Sequence, residues 1–226
     1  MMQTLVPPTV RWAHSFTERA DIELFPQELA AVAQAVHKRR AEFTTVRACA
    51  RDAMAALGLP PVPLVPGERG APTWPDGVVG SMTHCAGYHA AVVARAGDVA
   101  TLGIDAEPHG PLPDGVLEAI ARPEDLTALE ALPTSDGIAW DRILFSAKES
   151  VYKAWFPVAR TWLNFEDAAV TLRPDGTFTA RILIPGPTLL GRPLTGFSGR
   201  WAADEDHVLT AIVVERERER ELPPAP

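Results

Sequence analysis

The sequence predicts an α+β fold made of two similar halves, and three observations carry that expectation. In each half helical periodicity comes first and strand patterning follows, at residues 26–57 then 78–105, and at 134–156 then 168–215. The strands are separated by short turn chemistry such as Ala96-Gly97-Asp98 and Asp175-Gly176, which suits antiparallel pairing. Helices do not alternate with single strands, so a parallel βαβ sheet is not expected.

Residues 1–25 signal only a short strand and loops. Pro26-Gln27-Glu28-Leu29 opens a helix, with Pro at an early helical position, and the Ala-rich pattern runs to about Arg40. Phe43, Val46, Ala50, Met54 and Leu57 then recur at three- and four-residue spacing as a second helix. Gly58 stops it, and Leu59-Pro60-Pro61 follows. The Pro- and Gly-rich stretch 58–77 reads as a long loop packed on the domain. Val78–Met82 is a short strand broken by Thr83-His84-Cys85-Ala86-Gly87. Tyr88–Arg95 is a second strand, Ala96-Gly97-Asp98 a hairpin turn and Thr101–Asp105 a third strand.

Two modest helices are expected near Val116–Ala121 and Glu124–Leu132. A long one follows Pro133, with Thr134, Ser135 and Asp136 as cap candidates. Its apolar face is Trp140, Ile143, Leu144, Ala147, Val151, Ala154 and Trp155, and Pro157 ends it. Ala168–Leu172, Thr177–Ile184, Phe197–Ala202 and Val208–Glu215 close the chain as strands. Glu and Arg alternate from Glu215 to Glu221, as in a solvated tail. The expected division is 1–103, 104–215 and a charged tail 216–226, the halves forming one integrated unit.

Composition narrows the function. Among 226 residues, 46% are hydrophobic and 22% charged, as in an ordinary soluble domain. No run of apolar residues is long enough to span a membrane, and the N-terminus lacks the pattern of a secretory signal. Cys49 and Cys85 have no C-x-x-C spacing and read as reduced thiols of a cytoplasmic protein. A net charge of −8 argues against nucleic-acid binding. Lys38, Arg39, Arg40, Arg47 and Arg51 nevertheless stand against Glu42 as the only acid of their stretch, a local strip suited to a small polyanion.

Two stretches carry candidate chemistry. In Gly103-Ile104-Asp105-Ala106-Glu107-Pro108 the two acids are two residues apart, so a strand presents them on one side. Paired carboxylates repel unless a cation sits between them, and hard oxygen ligands of this kind suit Mg²⁺. A strand end entering a turn has the same composition. In the long helix, Glu149 and Lys153 are four apart and share a face. They form either a weak surface pair or, with Asp105 and Glu107, one wall of a metal site. Ser146-Ala147-Lys148-Glu149 also fits a capping box, but the helical pattern already runs through Trp140–Leu144. His84 lies in the break after Ser81. Phosphate-loop, nucleophile-elbow and zincin motifs are absent.

Together, Gly103–Pro108 and the later Phe145-Ser146-Ala147-Lys148-Glu149-Ser150-Val151-Tyr152-Lys153-Ala154-Trp155 resemble the paired signature of Sfp-type 4'-phosphopantetheinyl transferases. Gly80-Ser81-Met82-Thr83-His84 and the basic strip add to the likeness. Trp74-Pro75-Asp76-Gly77 and Trp140–Phe145 look like the actinobacterial branch. The resemblance implies two pseudo-twofold α+β halves with antiparallel sheets and a long helix each, holding coenzyme A and Mg²⁺ between them. It implies transfer of the phosphopantetheine arm to a serine of apo acyl or peptidyl carrier proteins, with release of 3',5'-ADP. Such an enzyme activates fatty-acid, polyketide or non-ribosomal-peptide synthases, and is expected to be a monomer. Asp105, Glu107 and Glu149 would be the metal ligands. Glu149 would also be the base, and Lys153 would hold the diphosphate. Lys148 would contact phosphate or pantetheine, and Arg47, His84 and Arg39 the phosphate groups. Ser81 and Gly70-Ala71-Pro72 would lie against the nucleotide. The chain departs from the common pattern at Ala71, where many relatives carry Lys, and at Cys85-Ala86. A non-catalytic coenzyme A- or partner-binding protein of the same fold is the alternative, and a metal-dependent phosphohydrolase a third reading.

Overall fold

The computed structural model describes residues 1–134 and 137–216. The cap candidates Ser135 and Asp136, and the tail from residue 217 on, lie outside the described residues. The first half contains α1 (Met2–Leu5), β1 (Arg11–Ser15), α2 (Pro26–Ala31), α3 (His37–Ala55), β2 (Val78–Cys85) and β3 (Tyr88–Arg95). Then come β4 (Val99–Pro108), α4 (Val116–Ile120), α5 (Pro123–Glu130) and α6 (Trp140–Ala159). The chain closes with β5 (Ala168–Leu172), β6 (Thr177–Ile182), β7 (Thr188–Leu189), β8 (Arg192–Pro193), β9 (Gly196–Ala203) and β10 (His207–Glu215). The small β7–β8 ribbon has no counterpart among the sequence expectations.

Pairing is antiparallel throughout, in a sheet ordered β1-β3-β2 and a larger one ordered β4-β10-β9-β6-β5. The fold is therefore the α+β arrangement the sequence predicts. Alternation along the strands builds its layers. Ala91 and Val93 of β3 pack with Cys49, Ala50, Ala53 and Met54 of α3. Ala90, Val92 and Ala94 face the other way, onto Leu102, Ile104 and Ala106 of β4 and Leu209 and Ala211 of β10. Val208 and Ile212 of β10 in turn meet Ile143, Ala147, Val151 and Trp155 of α6. The order is helix, sheet, sheet, helix.

Several boundaries differ from expectation for identifiable reasons. The first helix ends at Ala31, and all five cations of the basic strip fall on α3. Helix α6 starts at Trp140 with Ala139 at its N-cap, so Thr134 caps nothing, and it runs through Pro157 to end on a left-handed Arg160. A proline that late removes only one bond of the last turn. Strand β2 continues through Thr83 to Cys85, and the β2–β3 turn is Ala86-Gly87, with Gly87 at φ 75°. The largest difference concerns β4. Residues 96–98 do make a tight turn, with the Asp98 N–H bonded to the Arg95 carbonyl at 2.9 Å, but β4 pairs with β10 and not with β3. Position 103/104 thus lies inside one strand of the larger sheet.

Strand β4 meets β2 without a backbone ladder. The Ser81 hydroxyl accepts from the Ile104 N–H at 3.1 Å and the Thr83 hydroxyl from the Ala106 N–H at 3.0 Å. Side chains thereby satisfy the strand edge at the seam between the halves. On its other face β4 touches the backbone of α6 at Gly103. A Cβ there would lie 2.6 Å from the Ala154 nitrogen and overlap the Ser150 carbonyl oxygen. Gly103→Ala is expected to cost about 1–3 kcal/mol or more by pushing the helix off the strand. Chemical denaturation measures this, and an unchanged midpoint would show that the contact yields freely.

Each half also carries one buried acid on one plan. Glu28, at the third position of Pro-initiated α2, accepts from its N-cap Phe25 N–H (2.9 Å), from the Leu64 N–H (2.9 Å) and from Arg51 of α3. Asp125, at the third position of Pro-initiated α5, accepts from the Arg122 N–H (2.9 Å), from the Val170 N–H (2.7 Å) and from Lys148 of α6 (2.7 Å). In both, the third-position carboxylate makes one half of a capping box, accepting from the N-cap N–H, and extends the contact into the core.

Candidate active site

Close packing of Gly103 on α6 sets up the polar site. With Gly103 against the helix, period-two alternation puts Asp105 and Glu107 on that same face. Along α6, Arg142, Glu149 and Lys153 are spaced by seven and four residues, so they form one stripe. The two rows meet. Lys153 Nζ donates to Asp105 Oδ1 at 2.6 Å, and Arg142 Nη1 to Glu107 Oε2 at 3.1 Å. Arg142 is itself held by the carbonyls of Gly110 (3.0 Å) and Pro111 (2.6 Å). Thr83 joins the cluster from β2, donating to Asp105 Oδ1 at 3.3 Å, with Lys153 Nζ 3.4 Å from its hydroxyl.

Asp105 is buried, and its second oxygen, Oδ2, has no hydrogen-bond partner among the described residues. Burial, and then Asp105, pushes the Glu107 carboxyl up from its ordinary range, against the pull of Arg142. Burial likewise raises Glu149, with Lys153 opposing and Asp105 adding to the rise. Carboxylates that disfavour one another's charge, plus an orphaned buried oxygen, fit a cation. In this arrangement, among the described residues, no three His, Cys, Asp or Glu side chains converge as a ready chelating set. Lys153 and Arg142 take the places beside Asp105 and Glu107.

Next to this cluster a cleft of about 530 Å³ opens between the halves. Helix α3 contributes Arg39 and Arg47 to its wall, β2 contributes Ser81 and His84, and α6 contributes Glu149 and Lys153. The 67–74 loop adds Gly70, Ala71 and Pro72. That loop is pinned by Trp74, whose indole fills the space beside Gly80, where a Cβ would come within 2.5 Å. Arg47 is buried, lies 3.2 Å above the Phe43 ring and donates from Nε to the Leu64 carbonyl at 3.1 Å. Burial pulls its pKa down to about 10, which leaves it a cation at neutral pH.

The rest of the basic strip is otherwise engaged. Arg51 belongs to Glu28, and Arg40 donates to the Val32 carbonyl at 3.3 Å. Lys148, expected at the ligand, has its ammonium among other partners. It sits one residue before Glu149, hence about 100° around the helix, on the buried face. Its ammonium is spent on Asp125 and on the carbonyls of Phe165 (2.8 Å) and Ala168 (2.7 Å).

Sequence reasoning missed Thr83, Arg142 and Tyr152. Tyr152 lines the cleft with a buried hydroxyl that has no hydrogen-bond partner among the described residues. Each carried a signal: Thr83 precedes His84, Arg142 lies two turns before Glu149, and Tyr152 lies one turn after it.

The family model for the 4'-phosphopantetheinyl transferase N-terminal domain matches residues 26–94, and that for the 4'-phosphopantetheinyl transferase superfamily matches residues 101–211. The chain is 57% identical over 219 residues to the 4'-phosphopantetheinyl transferase Svp of Streptomyces mobaraensis, covering 95% of this chain and 89% of the relative. It is 48% identical over 224 residues to the 4'-phosphopantetheinyl transferase PptT of Mycobacterium tuberculosis, covering 95% and 98%. It is 44% identical over 221 residues to the 4'-phosphopantetheinyl transferase Npt of Nocardia iowensis, covering 94% and 99%.

Proposed function

The chain belongs to the 4'-phosphopantetheinyl transferase superfamily, and from that premise we propose that it moves the phosphopantetheine arm of coenzyme A onto a serine of apo carrier proteins. The observation that carries this reading is the cleft itself. It has cations for phosphate on one wall and a carboxylate–lysine pair on the other, and it is large enough for a nucleotide.

In this reading the serine oxygen attacks the phosphorus that bears pantetheine. A new P–O ester bond forms, and the bond to the bridging oxygen of the diphosphate breaks. 3',5'-ADP leaves with that electron pair. Glu149 takes the serine proton, a role that its burial suits by raising its basicity. Lys153, anchored by Asp105, holds charge on the non-bridging oxygens. Arg39, Arg47 and His84 bind the remaining phosphate groups, the arginine forks matching phosphate geometry. Ser81 and Gly70-Ala71-Pro72 pack against the nucleotide.

Asp105, Glu107 and Glu149 would hold Mg²⁺, which when bound neutralises diphosphate charge. The unpartnered Asp105 Oδ2 supports that assignment. The carriers would be those of fatty-acid, polyketide or non-ribosomal-peptide synthases. One chain supplies both walls of the cleft, so we take the two halves as one catalytic unit acting as a monomer in the cytoplasm. Among the described residues no helix is long and apolar enough to cross a membrane.

Incubation with coenzyme A, Mg²⁺ and an apo carrier is expected to raise the carrier's mass by one phosphopantetheine arm. Coenzyme A binding without any mass gain would favour a non-catalytic binder. Coenzyme A breakdown without a carrier would favour a hydrolase.

A further inference from the structure

We propose that Glu42 is a positioning residue that keeps His84 doubly protonated, so that the ring offers an N–H to a phosphate of the ligand. The proposal rests on the reading above, in which coenzyme A phosphate lies against His84.

Glu42 is out of place by charge. It is the only acid in the Lys38–Arg51 stretch, beside a wall built for a polyanion, where it repels the ligand. Its structural position gives it a use. Glu42 Oε2 lies 3.3 Å from His84 Nε2, with Lys38 on its outer side at 4.0 Å. Arg39 Nη1 reaches the same ring nitrogen at 3.4 Å. Nε2 cannot serve both, because an N–H donated to Glu42 leaves no lone pair for Arg39. With Nε2–H given to the carboxylate, Nδ1 is the ring's remaining polar atom. In a neutral ring that atom is a bare lone pair, which repels phosphate. Only the imidazolium carries an N–H at both positions.

The surroundings otherwise oppose that charge. Burial is the largest influence lowering the His84 pKa, and Arg39 from α3, His89 from β3 and Lys153 from α6 act in the same direction. Glu42 is the one group that raises it. His89 stacks on the ring at 6.1 Å and 14° and is itself 5% exposed. Burial favours its neutral form, which weakens its opposition to a charge on His84. The sign follows. His84 is charged below its pKa, and losing Glu42 moves that limit to lower pH.

The test uses the full chain with Glu42→Gln, Glu42→Asp and His84→Gln. The His84 ring is titrated by NMR without ligand, and coenzyme A affinity is measured by calorimetry across the neutral range. In Glu42→Gln the ring midpoint is expected to fall by about 1 pH unit, and coenzyme A to bind about five-fold more weakly at neutral pH. At acid pH, where both proteins carry the charge, they bind alike. Titration of the ligand's own phosphates is common to both. Glu42→Asp restores part of the loss, and in a His84→Gln background Glu42→Gln no longer weakens binding. An unchanged ring midpoint, or a loss that persists in the His84→Gln background, overturns the proposal. A lowered midpoint with unchanged binding in both Glu42→Gln and His84→Gln overturns instead the placement of phosphate at His84.

Discussion

Asp105→Asn is expected to lower kcat/KM for carrier modification at least about 100-fold while the protein stays folded. Asparagine keeps the shape of the side chain, so the β4–α6 contact built on Gly103 survives. What goes is the charge. Lys153 loses its anchor at 2.6 Å, and the orphaned Oδ2 is no longer an anionic oxygen. Folding tolerates the change because the Lys153 side chain is 26% exposed to the cleft, and because Glu107 and Glu149 are relieved of a repelling neighbour. Steady-state kinetics with an apo carrier, beside a thermal melt, checks both halves of the statement. Near-normal turnover in a folded variant would remove Asp105 from the site.

Lys148→Met is expected to do the reverse, costing about 3–5 kcal/mol of stability with little effect on kcat below the unfolding transition. Asp125 is fully buried, and its side chain would keep two backbone N–H donors but lose its only cation among the described residues. Methionine fills the stem's volume but cannot replace the bonds to Phe165 and Ala168. Urea denaturation reads the loss. Intact stability combined with weakened coenzyme A binding would return Lys148 to the ligand.

The contrast between these two residues shows how far the sequence could be read. Asp105, Glu107, Glu149 and Lys153 were legible because period-two and period-3.6 spacing decide which side chains share a face. Lys148 stands next to Glu149 in the chain, but one step along a helix turns about 100° around its axis. Its partner was legible after all. Arg122-Pro123-Glu124-Asp125 and Phe25-Pro26-Gln27-Glu28 both place Pro at the first helical position and an acid at the third, where its carboxylate reaches back to the N-cap N–H.

Strand positions were largely readable from alternation and turn residues, as at Ala168–Leu172 and Tyr88–Arg95. Strand partners were not. The turn at 96–98 says that the chain reverses, but the strand that β4 pairs with, β10, comes about a hundred residues later. The Glu42–His84 pair likewise depends on a helix and a strand meeting, and no local pattern encodes that contact.

In the proposed reading the cleft between the halves is the coenzyme A site, with the Asp105–Lys153 pair on its wall. A crystal structure of the protein soaked with coenzyme A and Mg²⁺ tests it most directly. The expected result places phosphate groups against Arg39, Arg47 and His84, the diphosphate at Lys153, and a metal on Asp105, Glu107 and Glu149. Coenzyme A bound elsewhere on the surface, with the cleft empty and the Asp105–Lys153 pair undisturbed, would contradict the account.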